Sequence, residues 1–184
     1  MANIKYDALF AEGKHEVGTI NSSYARELVN GAKLTEANAD NYTLVELAGF
    51  DEEGVRICKP LSDKAKKGLI LSTIEEESLF GDGDYVLQGN YNDFYNAVGD
   101  MCKLTIQDDF VRFETSAFEK NSDVDSVKKG MVAHYDTTKK KYIVSKPDSA
   151  HEDYEASANK YEVVDEDSDF GINVGKTTIR LECK

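Results

Sequence analysis

Residues 130–144 (GMVAHYDTTKKKYIV) carry a pattern that indicates the fold class. An apolar and aromatic run at 130–135 and another at 141–144 flank the polar segment DTTKK. Two such runs separated by a short polar turn are typical of antiparallel strands joined in a β-hairpin. This stretch therefore predicts a hairpin and points to a β-rich protein.

A second hairpin is predicted upstream. Residues 42–47 and 55–60 flank the loop AGFDEEG, which is rich in turn-forming residues. Pro60 cannot donate a hydrogen bond to a sheet ladder, so the second strand should end there or lie at an edge.

A third hairpin is predicted between these two. Apolar and polar side chains alternate at 102–107 and again at 110–115. Asp108 and Asp109 stand between the two runs and are turn formers, so we expect the runs to pair with each other across them.

The remaining pattern adds single strands. The apolar run at 67–74 predicts a core strand, and 161–164 and 177–183 predict the last two strands. Residues 91–99 fit a short helix or a strand, and 145–160 are polar and predict an exposed loop. The total of about eight or nine short strands predicts a mainly β fold, a barrel or a sandwich, with little helix. No repeat argues for a solenoid or propeller.

The first 35 residues differ from the rest because short apolar pairs are separated by glycines and polar residues. We interpret 1–35 as an extended N-terminal arm or loosely packed segment, and 36–184 as the β-rich domain. Within the arm, Ser23 could cap a short helix over 24–29 that ends at Asn30-Gly31.

Composition limits the possible functions. The chain carries 35 acidic and 22 basic residues, a formal charge of −13, which disfavours binding to nucleic acid. Its longest apolar run is Leu69-Ile70-Leu71, far too short for a membrane span, and no secretory signal precedes it. Cys58, Cys102 and Cys183 are widely spaced, so we expect reduced and mostly buried thiols.

No motif for catalysis is found. The three histidines, His15, His134 and His151, have no motif partner that would make a nucleophile–base pair, so we expect ordinary strand or surface roles for them. Paired carboxylates leave a glycosidase open by composition, but nothing in the sequence marks two of the acids. We therefore expect no enzyme activity, no catalytic residue and no cofactor.

The sequence supports calcium binding better than catalysis, but the calcium-binding motif is incomplete. Residues 165–169 (DEDSD) resemble the start of an EF-hand loop, yet Phe170 and Lys176 stand where glycine and a bidentate glutamate are needed. Residues 121–125 (NSDVD) are discounted in the same way. We expect no metal ligand in either segment.

The order of segments resembles the head decoration or auxiliary proteins of tailed phages that infect Gram-positive bacteria. The resemblance is carried by four segments and covers most of the chain loosely: 1–10 (MANIKYDALF), the hairpin from 44 to 60, 94–100 (FYNAVGD) and 128–132 (KKGMV).

The resemblance implies a non-enzymatic capsid accessory protein with a β-barrel-like part. Such a protein is made in the host cytoplasm, binds the outer surface of assembled major capsid protein and adds stability, often as a homo-oligomer or symmetric array. It implies no nucleic-acid partner, no membrane and no catalytic residues. A tail or baseplate component and a carbohydrate- or receptor-binding module remain alternatives.

Overall fold

The computed structural model describes residues 15–73, 94–166 and 176–184, and every regular element within them is a β-strand. The mainly β prediction is therefore confirmed. The strands, in chain order, are β1 (Gly18–Ile20), β2 (Ala32–Leu34), β3 (Leu44–Phe50), β4 (Arg56–Pro60), β5 (Leu69–Leu71), β6 (Met101–Cys102), β7 (Leu104–Ile106), β8 (Arg112–Thr115), β9 (Phe118–Lys120), β10 (Val132–Asp136), β11 (Lys141–Ser145), β12 (Lys160–Asp165) and β13 (Ile179–Cys183).

The first sheet has the order β6-β2-β4-β3-β5-β7. Its two end strands, β6 and β7, are consecutive in the chain and separated only by Lys103. They form one bent strand, half of which pairs with β2 and half with β5. The six named strands thus make a closed barrel of five, which we term the first barrel.

The second sheet has the order β1-β8-β13-β12-β10-β11-β9 and closes in the same way. β8 and β9 are separated by Ser116 and Ala117 and run on in one direction, β8 antiparallel to β13 and β9 parallel to β11. They form one bent strand, and the result is the second barrel. β1 lies outside it and pairs with β8.

The two barrels have the same connectivity. The five strands of each barrel can be numbered 1 to 5 in chain order, with the bent strand counted once. Around each barrel the strands then follow the order 1-3-2-4-5, and strand 5 pairs again with strand 1. Only strands 1 and 3 are parallel, which are β2 and β4 in the first barrel and β9 and β11 in the second. The two prolines of the chain lie at equivalent positions in the two barrels, at the end of the third strand. Lys59-Pro60 ends β4 in the first barrel, and Lys146-Pro147 directly follows β11 in the second. The fold is therefore a tandem pair of equivalent barrels.

Aromatic rings fill the second barrel. The ring of Tyr142 lies 5.1 Å from those of Tyr135 and Tyr161 and 5.5 Å from that of Phe113, in tilted or edge-on geometries. Such geometries are favoured by the ring quadrupoles. The first barrel has a smaller core of aliphatic and thiol side chains, listed as Ala32, Leu34, Ala39, Val45, Cys58, Leu71, Cys102 and Leu104.

Buried polar side chains join the barrels. Asn159 donates from Nδ2 to the carbonyl of Lys66 at 2.7 Å and accepts at Oδ1 from the N–H of Gly68 at 2.8 Å. Gln107 donates from Nε2 to the carbonyl of Gly68 at 2.8 Å and to Oδ1 of Asn159 at 3.0 Å. These four residues form what we term the interbarrel bridge.

The hairpin predicted across Asp108-Asp109 is wrong. β7 pairs with β5 of the first barrel, whereas β8 pairs with β13 and β1 of the second. Val111 N–H bonds the carbonyl of Asp108, and Phe110 has a φ of 69°, so the turn passes the chain from one barrel to the other. Both runs do contain strands, but the strands do not pair with each other, and the polar residues Thr105, Gln107 and Glu114 are buried.

The helix predicted over 24–29 is also wrong. Ile106 donates its N–H to the carbonyl of Arg26 at 2.8 Å, and Leu28 donates to the carbonyl of Leu104 at 2.9 Å. The backbone of this segment thus bonds β7 instead of its own preceding turn. Strands β1 and β2 also lie within the segment predicted as an arm, while the boundary at residue 35 stays a prediction.

The other predicted elements are found, with small differences in bounds. The hairpins at 42–60 and 130–144 are β3–β4 and β10–β11, and 69–71 forms β5. Of the segment 91–99, residues 94–99 form neither helix nor strand, and 91–93 lie outside the described residues. The loop predicted as exposed at 145–160 has buried residues near its end, including Ser157. No helix capable of crossing a membrane occurs in the described part of the chain.

Candidate functional site

Exposed apolar side chains are distributed unevenly over the described surface. The large exposed hydrophobic residues all precede the second barrel. They are Tyr24, Val29, Leu47, Phe50, Val98, Met101 and Phe110. A contiguous exposed apolar area commonly marks a protein–protein contact, whereas scattered single residues do not.

An arginine beside the turn between β3 and β4 contacts two of these residues. The guanidinium of Arg56 lies 5.7 Å from the centroid of the Phe50 ring, a cation–π contact. Arg56 also donates from Nη1 to the carbonyl of Val29 at 3.5 Å. We term these three residues the hairpin patch. Aromatic and arginine side chains are enriched among the anchors of protein interfaces.

A second cluster lies on the second barrel. His134 of β10 stacks on His151 of the loop after β11, with ring centroids 5.0 Å apart and planes inclined by 30°. Asp153 follows two residues later. One ligand atom of each of these three residues lies within 4.8 Å of the others. We term them the histidine cluster.

His134 is buried without a hydrogen-bond partner. Only 1% of the residue is exposed, and neither Nδ1 nor Nε2 bonds any described residue. Ala133 and Tyr135, its strand neighbours, point into the core of the second barrel, so His134 points outward and is covered by the loop. Burial, with a smaller effect from His151, lowers the pKa of His134 to about 4, so its imidazole is neutral near pH 7.

Asp153 divides its two oxygens between different neighbours. Its Oδ1 pairs with the ammonium of Lys64 from the first barrel, and this hydrogen bond holds the pKa of the carboxyl below its usual value. Its Oδ2 lies 3.9 Å from Nδ1 of His151. One carboxylate oxygen therefore faces the histidines while the other is held across the barrel interface.

The cluster adjoins a cleft of about 400 Å³ between the barrels. One wall is formed by residues 62–64, between β4 and β5, and the other by residues 134–138, in the β10–β11 hairpin. Asp63, Asp136 and Asp153 line it, against the single cation Lys64 among its lining residues. The cleft is therefore acidic and suits a cation better than an anion.

The third histidine is separate from this cluster. Nδ1 of His15 bonds Oδ1 of Asp40 at 2.7 Å, and its ring lies 4.9 Å from that of Tyr95. The three histidines are therefore not a single constellation. The contact between His134 and His151 could not be predicted from the sequence. The separation of two histidines along the chain does not indicate that the polar loop carrying one of them folds over the strand carrying the other.

The segments discounted as calcium loops make other contacts. In 165–169, Asp165 pairs with Arg180 at 3.6 Å and Glu166 accepts from the N–H of Lys129 at 2.9 Å, while 167–169 lie outside the described residues. In 121–125, Val124 is buried in the core of the second barrel. The three cysteines are free and buried, as expected.

Comparison with known proteins gives one family. A family model described as YonC prophage protein matches residues 11–184. A Bacillus subtilis (strain 168) protein described as SPbeta prophage-derived uncharacterized protein YonC is 40% identical over 183 residues, which cover 99% of this chain and 98% of that protein. No solved structure matches the chain.

Proposed function

The chain belongs to the YonC prophage protein family, and from this premise we propose that it is a non-enzymatic structural protein of the phage particle. Its role is that of a head decoration protein, which binds the assembled capsid and stabilises it. Its partner is the major capsid protein, and its site of action is the capsid surface after synthesis in the host cytoplasm.

The observation that supports this proposal most is that the large exposed apolar residues of the described chain all precede the second barrel in sequence. All of the large ones in the described chain precede residue 111, and Phe50 is 65% exposed at the tip of a hairpin. A protein that coats an assembly needs an anchoring surface and a surface that stays in water. The hairpin patch supplies the anchor, and the second barrel faces solvent.

The anchor has chemistry that suits a protein partner. A desolvated aromatic residue beside an arginine can contribute strongly to binding, and the arginine can also pair with a carboxylate of the partner. Copies placed by capsid symmetry multiply such small contacts, so each copy can bind modestly while the shell gains considerable stability. The acidic charge of the chain disfavours DNA as the partner.

The test is co-sedimentation of the purified protein with empty capsid shells of the phage that encodes it. The wild type is expected to sediment with shells and raise their melting temperature. Phe50→Ser should weaken this binding by about tenfold or more, as expected for an interface anchor. Val98→Ser removes an exposed apolar side chain outside the hairpin patch and serves as the control.

The alternatives predict different partners. Binding to purified tails but not to shells would replace the head role with a tail or baseplate role. Retention on cell-wall glycan would indicate a carbohydrate- or receptor-binding module. Absence of binding to shells over a range of salt concentrations would contradict the decoration role.

A further inference from the structure

We propose that His134, His151 and Asp153 form a binding site for a divalent transition-metal ion of the zinc class. This site is independent of the proposed capsid contact, since the hairpin patch lies on the other barrel. It also departs from the expectation, based on the sequence, that the chain has no metal ligand.

The donor set has the composition of a transition-metal site. Two imidazole nitrogens and one carboxylate oxygen are ligands that zinc and its neighbours accept, commonly leaving one position for water. Calcium and magnesium prefer oxygen alone, so two histidines disfavour them. The donor atoms lie within 4.8 Å of one another, so small side-chain movements can bring them to one ion.

The unpartnered nitrogens of His134 are the second observation. A buried polar atom without a hydrogen bond destabilises the fold, and such atoms in a native protein call for a physical explanation. His134 has two of them and is 1% exposed. Neither ring nitrogen is engaged by a described residue, so an ion could be bound there without breaking an existing hydrogen bond.

The surroundings orient the other two ligands. Lys64 holds Oδ1 of Asp153 and leaves Oδ2 beside His151. His151 Nδ1 accepts a long hydrogen bond of 3.2 Å from the N–H of Asp153, which an ion bound at that nitrogen would replace. A carboxylate fixed by a second partner in this way resembles the outer contacts that orient metal ligands in proteins.

The site has a route to solvent and a favourable charge. His134 and Asp153 both line the cleft between the barrels, where three carboxylates face one ammonium group. An incoming cation is therefore attracted into the cleft, and water there can fill a remaining coordination position. Binding would fasten the loop that carries His151 and Asp153 to strand β10.

The experiment uses the full chain without a histidine tag, in a buffer that does not bind metals. Isothermal titration with Zn²⁺ gives stoichiometry and affinity, Co²⁺ gives the visible absorption of a low-symmetry site, and thermal unfolding gives stabilisation. We expect one ion per chain, a rise in melting temperature with Zn²⁺, and no comparable effect of Mg²⁺ or Ca²⁺.

Variants locate the site. His151→Ala and Asp153→Asn change residues that are only partly buried, and each should weaken Zn²⁺ binding by about tenfold or more. His15→Ala and Asp148→Asn are the matched controls, because His15 lies on another surface and Asp148 is exposed on the same loop. Both control variants keep all three proposed ligands, so their Zn²⁺ affinities should lie within about twofold of the wild-type affinity.

Two results would overturn the proposal. One is the absence of a titration signal and of a Co²⁺ band at millimolar metal in the folded wild type. The other is binding that His151→Ala and Asp153→Asn leave unchanged, which would place the ion elsewhere. Both variants can be checked for folding by their circular dichroism, so loss of binding through unfolding is recognised.

Discussion

The side chain of Asn159 accepts a hydrogen bond from the backbone N–H of Gly68 at 2.8 Å, across the boundary between the two barrels. Asn159 is 1% exposed, and its amide also bonds Lys66 and Gln107. A buried backbone donor in a loop normally needs such a partner. One side chain therefore satisfies polar groups that the packing of the barrels removes from water.

Replacing Asn159 by alanine should destabilise the protein by about 3 kcal/mol, because it leaves buried donors and an acceptor without partners. The measurement is the free energy of unfolding from urea or guanidinium denaturation. Asn38→Ala removes an exposed amide that accepts one bond from Val98, and should cost about 1 kcal/mol or less. Equal losses in the two variants would contradict a special role for the interbarrel bridge.

Glycine at position 18 should be required for the pairing of β1. A Cβ there would lie 2.0 Å from the carbonyl oxygen of Glu114 and 2.7 Å from the ring of Tyr42. Gly18→Ala should therefore cost about 3 kcal/mol by overpacking, measured by chemical denaturation.

Gly54→Ala is the matched comparison. Gly54 has a φ of +80° but no atom within 4 Å of its Cβ position, so its replacement by alanine should cost only the backbone strain of about 1 kcal/mol. A larger loss at Gly54 than at Gly18 would show that the close approach of β1 to β8 is not tight in solution.

The thiols should be unreactive in the folded protein. Burial raises the pKa of Cys58 to about 12 and that of Cys183 to about 12, and Cys102 is buried as well. Only the thiolate reacts readily with disulfide reagents. We expect no thiol to react with such a reagent in the native state and all three to react in denaturant. Rapid reaction of one thiol in the native state would indicate local opening of its strand.

Stability should decrease at alkaline pH. Burial raises the pKa of Tyr142 and of Tyr161 well above the ordinary value of a phenol. In the unfolded chain these phenols ionise with a pKa of about 10, whereas in the folded protein they stay neutral to higher pH. Their full contribution to the free energy of unfolding is therefore present below pH 10 and is lost as the pH rises above that value. The check is the unfolding free energy measured from neutral to strongly alkaline pH.

Tyr142→Phe separates this effect from general alkaline damage. The variant loses the hydrogen bond from the Tyr142 hydroxyl to the carbonyl of Tyr42 at 3.0 Å, so it should be less stable at neutral pH. Because it has one ionisable phenol fewer, its stability should fall less steeply above pH 10. An unchanged slope would mean that other groups control the alkaline transition.

The sequence predicts those parts of the fold that depend on neighbouring residues. The hairpins β3–β4 and β10–β11 pair across short turns, so alternation and turn formers are sufficient to find them. Closure of the barrels is different, since β6 and β7 separate to opposite edges of one sheet with only Lys103 between them. No local pattern indicates that a strand bends and changes partners.

The candidate site was hidden for a related reason. His134 lies on the face of its strand that points away from the core, and such a face is ordinarily exposed. The polar loop that carries His151 covers that face, so the side chain of His134 is buried. Loop placement depends on tertiary contacts such as the pair between Lys64 and Asp153, which sequence periodicity does not encode.

Closure of both sheets has a consequence for how copies of the protein can meet. An open sheet exposes a row of unpaired N–H and carbonyl groups, which invites strand addition and fibrous aggregation. Among the described strands, the bent strands β6–β7 and β8–β9 remove most of that edge, and the short β1 is the exception. Copies that meet through the closed part of either barrel therefore contact each other by side chains instead of by strand addition, and such contacts can be released.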